Sequence, residues 1–143
     1  MKKTDFAYVA GIIDGEGSIS IYRMLSRSSK RRMRYSLLVT VTNTNEWLIQ
    51  WLKMSFGGSI CKVIPRQTNW KPQYRWSLST RQAADFLKLI KPYLHLKRPE
   101  AEIAIAFQSR MKQGAGLSDE AAVLQEADAI LIRKYHAKGK KVT

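Results

Sequence analysis

The chain has 143 residues, which is enough for one compact domain with a core and too few for two of ordinary size, so we predict a single domain over residues 1–143. Its 25 Lys and Arg exceed its 11 Asp and Glu, and the net charge of +14 predicts an anionic polymer as partner. The sequence has neither an apolar run of about 18 residues nor a basic amphipathic helix, so a membrane is not favoured as that partner. The single cysteine, Cys61, predicts an intracellular protein, and no address segment distinguishes an organelle from a microbial cytoplasm.

The first half of the sequence alternates between helical and strand patterns. The apolar run from Phe6 to about Asp14 predicts a helix that ends at the following glycines. Alternating apolar residues from Ser18 predict a first strand, and "RYSLLVTVTN" predicts a second. In "EWLIQWLKMSF" the spacing predicts a helix with Trp47, Trp51 and Phe56 in the core, stopped by two glycines at 57 and 58.

The second half begins with two more strands, "SICKVI" and "YRWSLS". Two facings of the third strand stay open, because Ile60, Lys62 and Ile64 alternate with Cys61 and Val63. Helices are predicted over 81–92, 99–112 and 119–136. The order α-β-β-α-β-β-α-α-α predicts an α+β fold, in which an αββαββ core forms a four-stranded antiparallel sheet backed by helices and is followed by C-terminal helices.

Residues 9–17, "VAGIIDGEG", place two carboxylates among glycines in a strongly basic chain. This stretch resembles the LAGLIDADG motif that names a family of homing endonucleases. The order of elements and the run "KPYLHLK" are also similar to the family, so the resemblance covers essentially the whole chain. It implies the homing endonuclease of a mobile intron, which cuts both strands of double-stranded DNA at a long site and leaves 3′ overhangs.

Only one copy of the motif is present, which predicts a homodimer. Small residues on the first helix let another helix approach closely, and that helix must come from a second chain. We expect the contact at Ala7, Ala10, Gly11 and Asp14, with Asp14 also hydrogen-bonded near the helix end. Because the two copies are related by a two-fold axis, the target is expected to be nearly palindromic.

The acid at position 16 is the predicted metal ligand. Mg²⁺ binds hard oxygens together with substrate phosphate and water, so Glu16 from each copy could hold it against a scissile phosphodiester. We expect Gly15 and Gly17 to form a tight turn that exposes this carboxylate. The resemblance implies the Gly15 carbonyl as a second ligand, Asn43 and Lys97 as further catalytic residues, and use of Mn²⁺, with Ca²⁺ bound but inactive. The family name has Asp where this chain has Glu16.

The face of the sheet away from the helices is the predicted DNA surface, because it is polar and basic. The opposite, helix-covered face is expected to carry Ile19, Ile21, Leu37, Val39, Val41, Tyr74, Trp76 and Leu78. The predicted DNA contacts are Ser20, Tyr22, Arg34, Ser36, Thr40, Thr42, Lys62, Arg75 and Ser77 on strands and Arg27, Lys30, Arg31, Arg32 and Arg66 on loops. His95 and His136 show no ligand spacing and are assigned no chemistry.

Two other functions fit the same fold. An intron maturase would use the basic surface to bind intron RNA, and a regulator would bind DNA without cutting it. Both could dispense with the acid at position 16. An intact Glu16 favours the nuclease, since a pure binder gains nothing from carboxylates that face phosphates.

Overall fold

A computed structural model describes residues 1–25, 33–67, 69–111 and 119–138 of the chain. The elements follow the predicted order, with a short 3-10 turn at Lys91–Tyr93 between the third and fourth helices. Their bounds are α1 Lys3–Glu16, β1 Gly17–Leu25, β2 Met33–Asn43, α2 Glu46–Phe56, β3 Ser59–Val63, β4 Gln73–Ser79, α3 Thr80–Ile90, α4 Arg98–Ser109 and α5 Asp119–Lys138. Nowhere in these ranges is a helix long and apolar enough to cross a membrane.

The four strands form one antiparallel sheet in the order β1-β2-β4-β3. Ile19 lies opposite Val39, which lies opposite Leu78, so apolar residues of three strands share one face. The helices cover this face because burying those side chains removes apolar surface from water. The residues buried on it are Ile19, Ile21, Leu37, Val39, Val41, Trp76 and Leu78, with Tyr74 half-buried, which confirms the predicted inner face.

Helix α1 is longer at both ends than the sequence pattern predicts, and it runs without a break into β1. Gly15 lies inside the helix, and Gly17 is in an ordinary extended conformation with φ −80° and ψ 163°. The predicted glycine turn is therefore wrong. Gly17 is needed for a different reason, because a Cβ there would lie 2.7 Å from the Cα of Ile13.

Helix α2 begins and ends where the sequence predicts. The Asn45 side chain accepts the Leu48 N–H at 3.2 Å, which caps the first turn. Gly57 and Gly58 have φ values of +79° and +90°, a conformation that other residues rarely adopt. The prediction that Trp47 belongs to the core is wrong, since it is 70% exposed and stacks on Trp51 along the outer side of the first turns.

The last three helices complete the core. Helices α3 and α4 pack against each other and against the sheet, and α5 packs on α4 and on strands β1 and β2. Phe86 and Leu87 from α3, Phe107 from α4 and Ile132 from α5 are all buried. Among the described residues no helix covers the other face of the sheet, and the end of α1 lies beside the turn that precedes α4.

Candidate active site

Glu16 is the last residue of α1, and its exposed carboxylate is held by Asn43 at the end of β2. The Nδ2 of Asn43 donates to Oε2 of Glu16 at 2.7 Å. The Oδ1 of Asn43 accepts the Asn45 N–H, also at 2.7 Å, so the start of α2 fixes the orientation of the amide. Two residues that are 27 positions apart therefore meet, as the resemblance implied, with Asn43 positioning the acid.

The end of α1 offers oxygen ligands to a cation. Gly15 and Glu16 are exposed, and the carbonyl of Gly15 belongs to the last turn, whose carbonyls lack intrahelical partners. The C-terminal end of a helix carries partial negative charge. A carboxylate and a main-chain carbonyl at this position fit a hard divalent cation. Within the described ranges no three His, Cys, Asp or Glu side chains cluster together, so a cation held here would take its other ligands from water, phosphate or a second copy.

Lys97 brings positive charge to the same helix end. Its Nζ donates to the carbonyl of Ile13 at 2.9 Å and to that of Gly17 at 2.5 Å, so it spans the junction between α1 and β1. An ammonium group has three donors, which leaves one for water or a phosphate oxygen. The structure thus places the Lys97 ammonium at the junction of α1 and β1, where Glu16 is the last helical residue.

Asp14 holds the segment that carries this lysine. Its carboxylate accepts the backbone N–H of His95 at 2.8 Å and that of Lys97 at 2.9 Å. Burial alone would raise the pKa of Asp14, but the hydrogen bonds from the backbone of residues 95–97 outweigh it and lower the pKa below its ordinary value. These bonds confirm that Asp14 is hydrogen-bonded near the helix end, and its place in the dimer interface stays a prediction. We call Asp14, Glu16, Asn43 and Lys97 the helix-end cluster.

The exposed side of α1 is lined by small residues at four-residue spacing. Ala7, Gly11 and Gly15 are all exposed, and a Cβ built at Gly11 or Gly15 would meet nothing within 4 Å. Ala10 is fully buried in the core of its own chain, so its predicted place in the interface is wrong. The face open to another helix is formed by residues 7, 11 and 15, because i and i+4 positions lie on one side of a helix.

A second polar group, absent from the sequence-based prediction, links α5 to the sheet. The Nε2 of His136 lies 2.9 Å from the carbonyl of Ile19 and 3.1 Å from Oε2 of Glu100. Glu100 is only 6% exposed, and this burial raises its pKa although His136 and Lys97 attract its negative charge. These contacts fix β1 three residues beyond Glu16. Sequence spacing gives no signal for them, since His136 and Ile19 are 117 positions apart.

The face of the sheet without helices, which we call the open face, carries eight of the predicted DNA contacts. Register places there Ser20, Tyr22, Arg34, Ser36, Thr40, Thr42, Arg75 and Ser77. The Nε of Arg75 donates to Oγ1 of Thr42 at 3.3 Å, which leaves the two terminal nitrogens of the guanidinium for other partners. Ser36 is nearly buried although it lies on this face, so its hydroxyl is not presented to solvent.

The register of strand β3 on β4 settles which of its side chains face the helices. Ile60 lies opposite the buried Trp76, so Lys62, opposite Tyr74, is on the helix-covered side. Its prediction as a contact on the open face is wrong, and Cys61 takes that place opposite Arg75. The reason is packing, because the bulky Ile60 follows Trp76 into the core.

The loop predictions divide into two groups. Arg66 is exposed in the segment between β3 and β4. Arg27, Lys30, Arg31 and Arg32 lie outside the described residues and stay predictions. The polar strand residues of the open face that are absent from the predicted contacts are Ser18, Ser59, Gln73 and Ser79, which alternation along the strands could have identified.

Comparison with known proteins agrees with this geometry. The family model of the LAGLIDADG endonuclease matches residues 9–109. No curated protein sequence matches the chain. Among solved structures, the homing endonuclease I-CvuI, in complex with its target in the presence of calcium, has 19% identity and a TM-score of 0.71 over 99% of this chain and 98% of that one.

Two other solved structures show how the fold is used in chains of different length. The homing endonuclease I-TnaI has 15% identity and a TM-score of 0.68 over 96% of this chain and 97% of its own. I-SmaMI, bound to an uncleaved DNA target in the presence of calcium ions, has 18% identity and a TM-score of 0.72 over 100% of this chain and 50% of its own. With its motif, sheet and helix-end cluster in this arrangement, the chain belongs to the LAGLIDADG endonuclease family.

Proposed function

We propose that the chain is a site-specific, Mg²⁺-dependent endonuclease that cuts double-stranded DNA as a homodimer and leaves 3′ overhangs. The observation that carries this proposal is the exposed carboxylate of Glu16, held by Asn43 at the end of α1 with Lys97 beside it. A strongly basic chain that only bound nucleic acid would not need an oriented acid there. The resemblance of the fold to I-CvuI, whose structure is a complex with its target, supports DNA as the substrate.

The dimer is supported by α1. Its exposed row of small residues at 7, 11 and 15 allows the axis of a second helix to come close to the axis of α1. A two-fold axis along this row sets two copies of Glu16 near each other. The chain also aligns with half of I-SmaMI but with almost all of I-CvuI, as expected for one half of a two-part unit.

The residues of each copy have separate tasks in this proposal. Glu16 and the Gly15 carbonyl would hold Mg²⁺, which would lower the pKa of an attacking water and neutralise charge on the leaving oxygen. Asn43 fixes the carboxylate of Glu16 and would hold water. Lys97 directs its remaining N–H toward the phosphate and stabilises negative charge that develops in the transition state.

The test compares the wild type with Glu16→Gln on a randomised duplex library in Mg²⁺, with sequencing of the new ends. We expect near-palindromic sites with staggered cuts that are lost in Glu16→Gln, while DNA binding is kept. Glu126→Gln is the matched control, since it makes the same change at an exposed acid on α5. DNA binding without cuts would contradict the nuclease and favour a regulator, and preference for intron RNA would favour a maturase.

A further inference from the structure

The outer side of α5 is apolar although the helix lies at the protein surface. Val123, Leu124, Ile130 and Leu131 are between 42% and 65% exposed, and Ala127 between them is exposed as well. Their spacing puts all five on one side of the helix. Single exposed apolar residues are ordinary, whereas a continuous apolar stripe of this kind marks an interaction surface. We call these five residues the α5 stripe.

Polar contacts hold the opposite side of α5 against the protein. Gln125 accepts the backbone N–H of Tyr35 at 3.4 Å, and Asp128 pairs with Arg110. His136 contacts the carbonyl of Ile19, and Ala129 is buried among them. Rolling the helix to bury the α5 stripe would break these bonds and expose their polar partners. In the part of the chain that the structure describes, the stripe therefore stays on the outside.

The α5 stripe is symmetric about its central residue. Leu124 and Val123 stand three and four positions before Ala127, and Ile130 and Leu131 stand three and four positions after it. A two-fold axis through Ala127 would bring each half of the stripe against the other half of a second, antiparallel stripe. The small central residue lets the helix axes come close where they cross. A surface that is complementary to itself in this way fits an isologous contact.

Charges at the two ends of the stripe also match in this arrangement. Glu120 lies seven positions before Ala127 and Lys134 lies seven positions after it, and both are exposed. In the antiparallel pair, Glu120 of each copy faces Lys134 of the other. The same two charges would be mismatched in a parallel pair, where like residues face each other.

From this symmetry we propose that α5 is a self-association surface whose occupant is the α5 stripe of a second copy, packed antiparallel across Ala127. The contact is separate from the row of small residues on α1 and does not depend on it. One helix pair of this length buries less than the roughly 1,200–2,000 Å² of stable complexes, so the association is weak on its own. If α1 also pairs, the α5 contact joins two dimers, and tethering within that assembly strengthens it.

Disulfide trapping tests the geometry directly. The background variant Cys61→Ser removes the single natural cysteine, which is exposed. Helix axes about 8–10 Å apart bring the facing Cα atoms at position 127 within reach of a disulfide. In the same pair, the two copies of position 120 lie roughly 21 Å apart along the helices. We expect Ala127→Cys to cross-link roughly ten-fold faster than Glu120→Cys under mild oxidation.

Equal rates for the two cysteine variants would overturn the antiparallel pairing, because random collisions favour neither position.

The assembly itself is measured by sedimentation equilibrium of Leu124→Glu, with Leu89→Glu as the matched control. These leucines are similarly exposed, at 49% and 48%, so a difference between the two variants reports the position of the leucine and not an effect of the substitution on folding. We expect Leu124→Glu to reduce the average mass and Leu89→Glu to leave it unchanged. An unchanged mass in Leu124→Glu would mean that another kind of partner covers the stripe, and would overturn the proposal.

Discussion

The helix-end cluster and the open face are the two candidate functional regions of the molecule, and they are held in different ways. In the cluster, Asp14 and Lys97 bond to backbone groups of a distant segment, and Asn43 joins the Glu16 side chain to the nearby Asn45 N–H. On the open face, the contacts include Arg75 to Thr42 and the Ser20 hydroxyl to the Leu38 carbonyl, both within the sheet. The candidate site for chemistry is therefore built into the fold, whereas the candidate recognition surface lies upon it.

This difference follows from the two tasks. Hydrolysis needs groups placed to a fraction of an ångström, because small displacements of reacting groups cost large factors in rate. Reading a DNA sequence needs side chains that can differ from one protein to another without loss of the fold. Changes in the helix-end cluster should therefore alter stability and cleavage together, and changes on the open face should alter binding preference alone.

After the loss of cleavage in Glu16→Gln, the largest expected effect is that of Lys97→Met. Methionine keeps the length of the side chain but removes the charge and the bonds to the Ile13 and Gly17 carbonyls. We expect cleavage to fall by about 10²–10³-fold, the usual cost of losing one group that stabilises transition-state charge. Single-turnover cleavage at saturating protein measures this loss, with Lys88→Met on α3 as the control.

Stability should fall as well in Lys97→Met, because the carbonyls at the end of α1 lose their donor. Affinity for DNA should change far less than the cleavage rate. If Lys97→Met cleaved like the wild type, the lysine would have only a structural role.

Gly17→Ala, next to the helix-end cluster, should give the largest loss of stability among these variants. A Cβ at this position would lie 2.7 Å from the Ile13 Cα and 2.8 Å from its Cδ1, so the backbone at the junction of α1 and β1 must shift. We expect a loss of about 3 kcal/mol in the free energy of unfolding, at the upper end for overpacking. Urea denaturation measures it.

The matched control for this change is Gly15→Ala. A Cβ at Gly15 meets nothing within 4 Å, and alanine favours a helix by up to about 1 kcal/mol over glycine. The two alanine variants should therefore change stability in opposite directions. A loss of equal size in both would mean that the close approach to Ile13 is not the reason for Gly17.

Asp14→Asn should cost less and should depend on pH. The asparagine cannot accept both backbone N–H groups through oxygen, so we expect a loss of about 2 kcal/mol at neutral pH. Because folding lowers the pKa of Asp14, its stabilisation is present above the ordinary pKa near 3.8 and is lost as pH falls through the lower folded value. Urea denaturation at pH 7 and near pH 3 should show the difference shrinking in acid. Asp85→Asn, at an exposed position on α3, should show no comparable loss.

The two regions also differ in how well the sequence predicts them. The open face was predicted from alternation, because strand residues of one parity lie on one side whatever the rest of the chain does. This was enough to place Tyr22, Thr40 and Arg75 correctly. It failed at Lys62, where both parities contain apolar residues and only the pairing of Ile60 with Trp76 decides between them.

The helix-end cluster could be predicted only through the family resemblance. Nothing local places Asn43 or Lys97 beside Glu16, since those contacts cross 27 or more positions and depend on the packing of α1, α2 and the turn before α4. The role of Asp14 in binding residues 95–97 and the contact of His136 with β1 are long-range for the same reason. The wrong prediction for Trp47 has another cause. Helical spacing predicts that Trp47 and Trp51 lie on the same side of α2, but it does not predict which residues of that side reach the core.

Arg75→Ala gives the smallest effect on the fold and the sharpest test of the comparison. The bond from its Nε to Thr42 holds the guanidinium on the open face, and its two remaining nitrogens are left to contact a guanine edge. We expect the variant to lose about 1–3 kcal/mol of discrimination at one base pair of each half-site, as measured by selection from a randomised library. Its stability should stay within about 0.5 kcal/mol of the wild type, because the side chain is exposed.

Arg81→Ala removes the same charge from α3, outside the sheet, and should leave base preference unchanged. If Arg75→Ala instead weakened binding to all sequences equally, Arg75 would contact phosphate, and the open face would position the DNA at this point rather than read it.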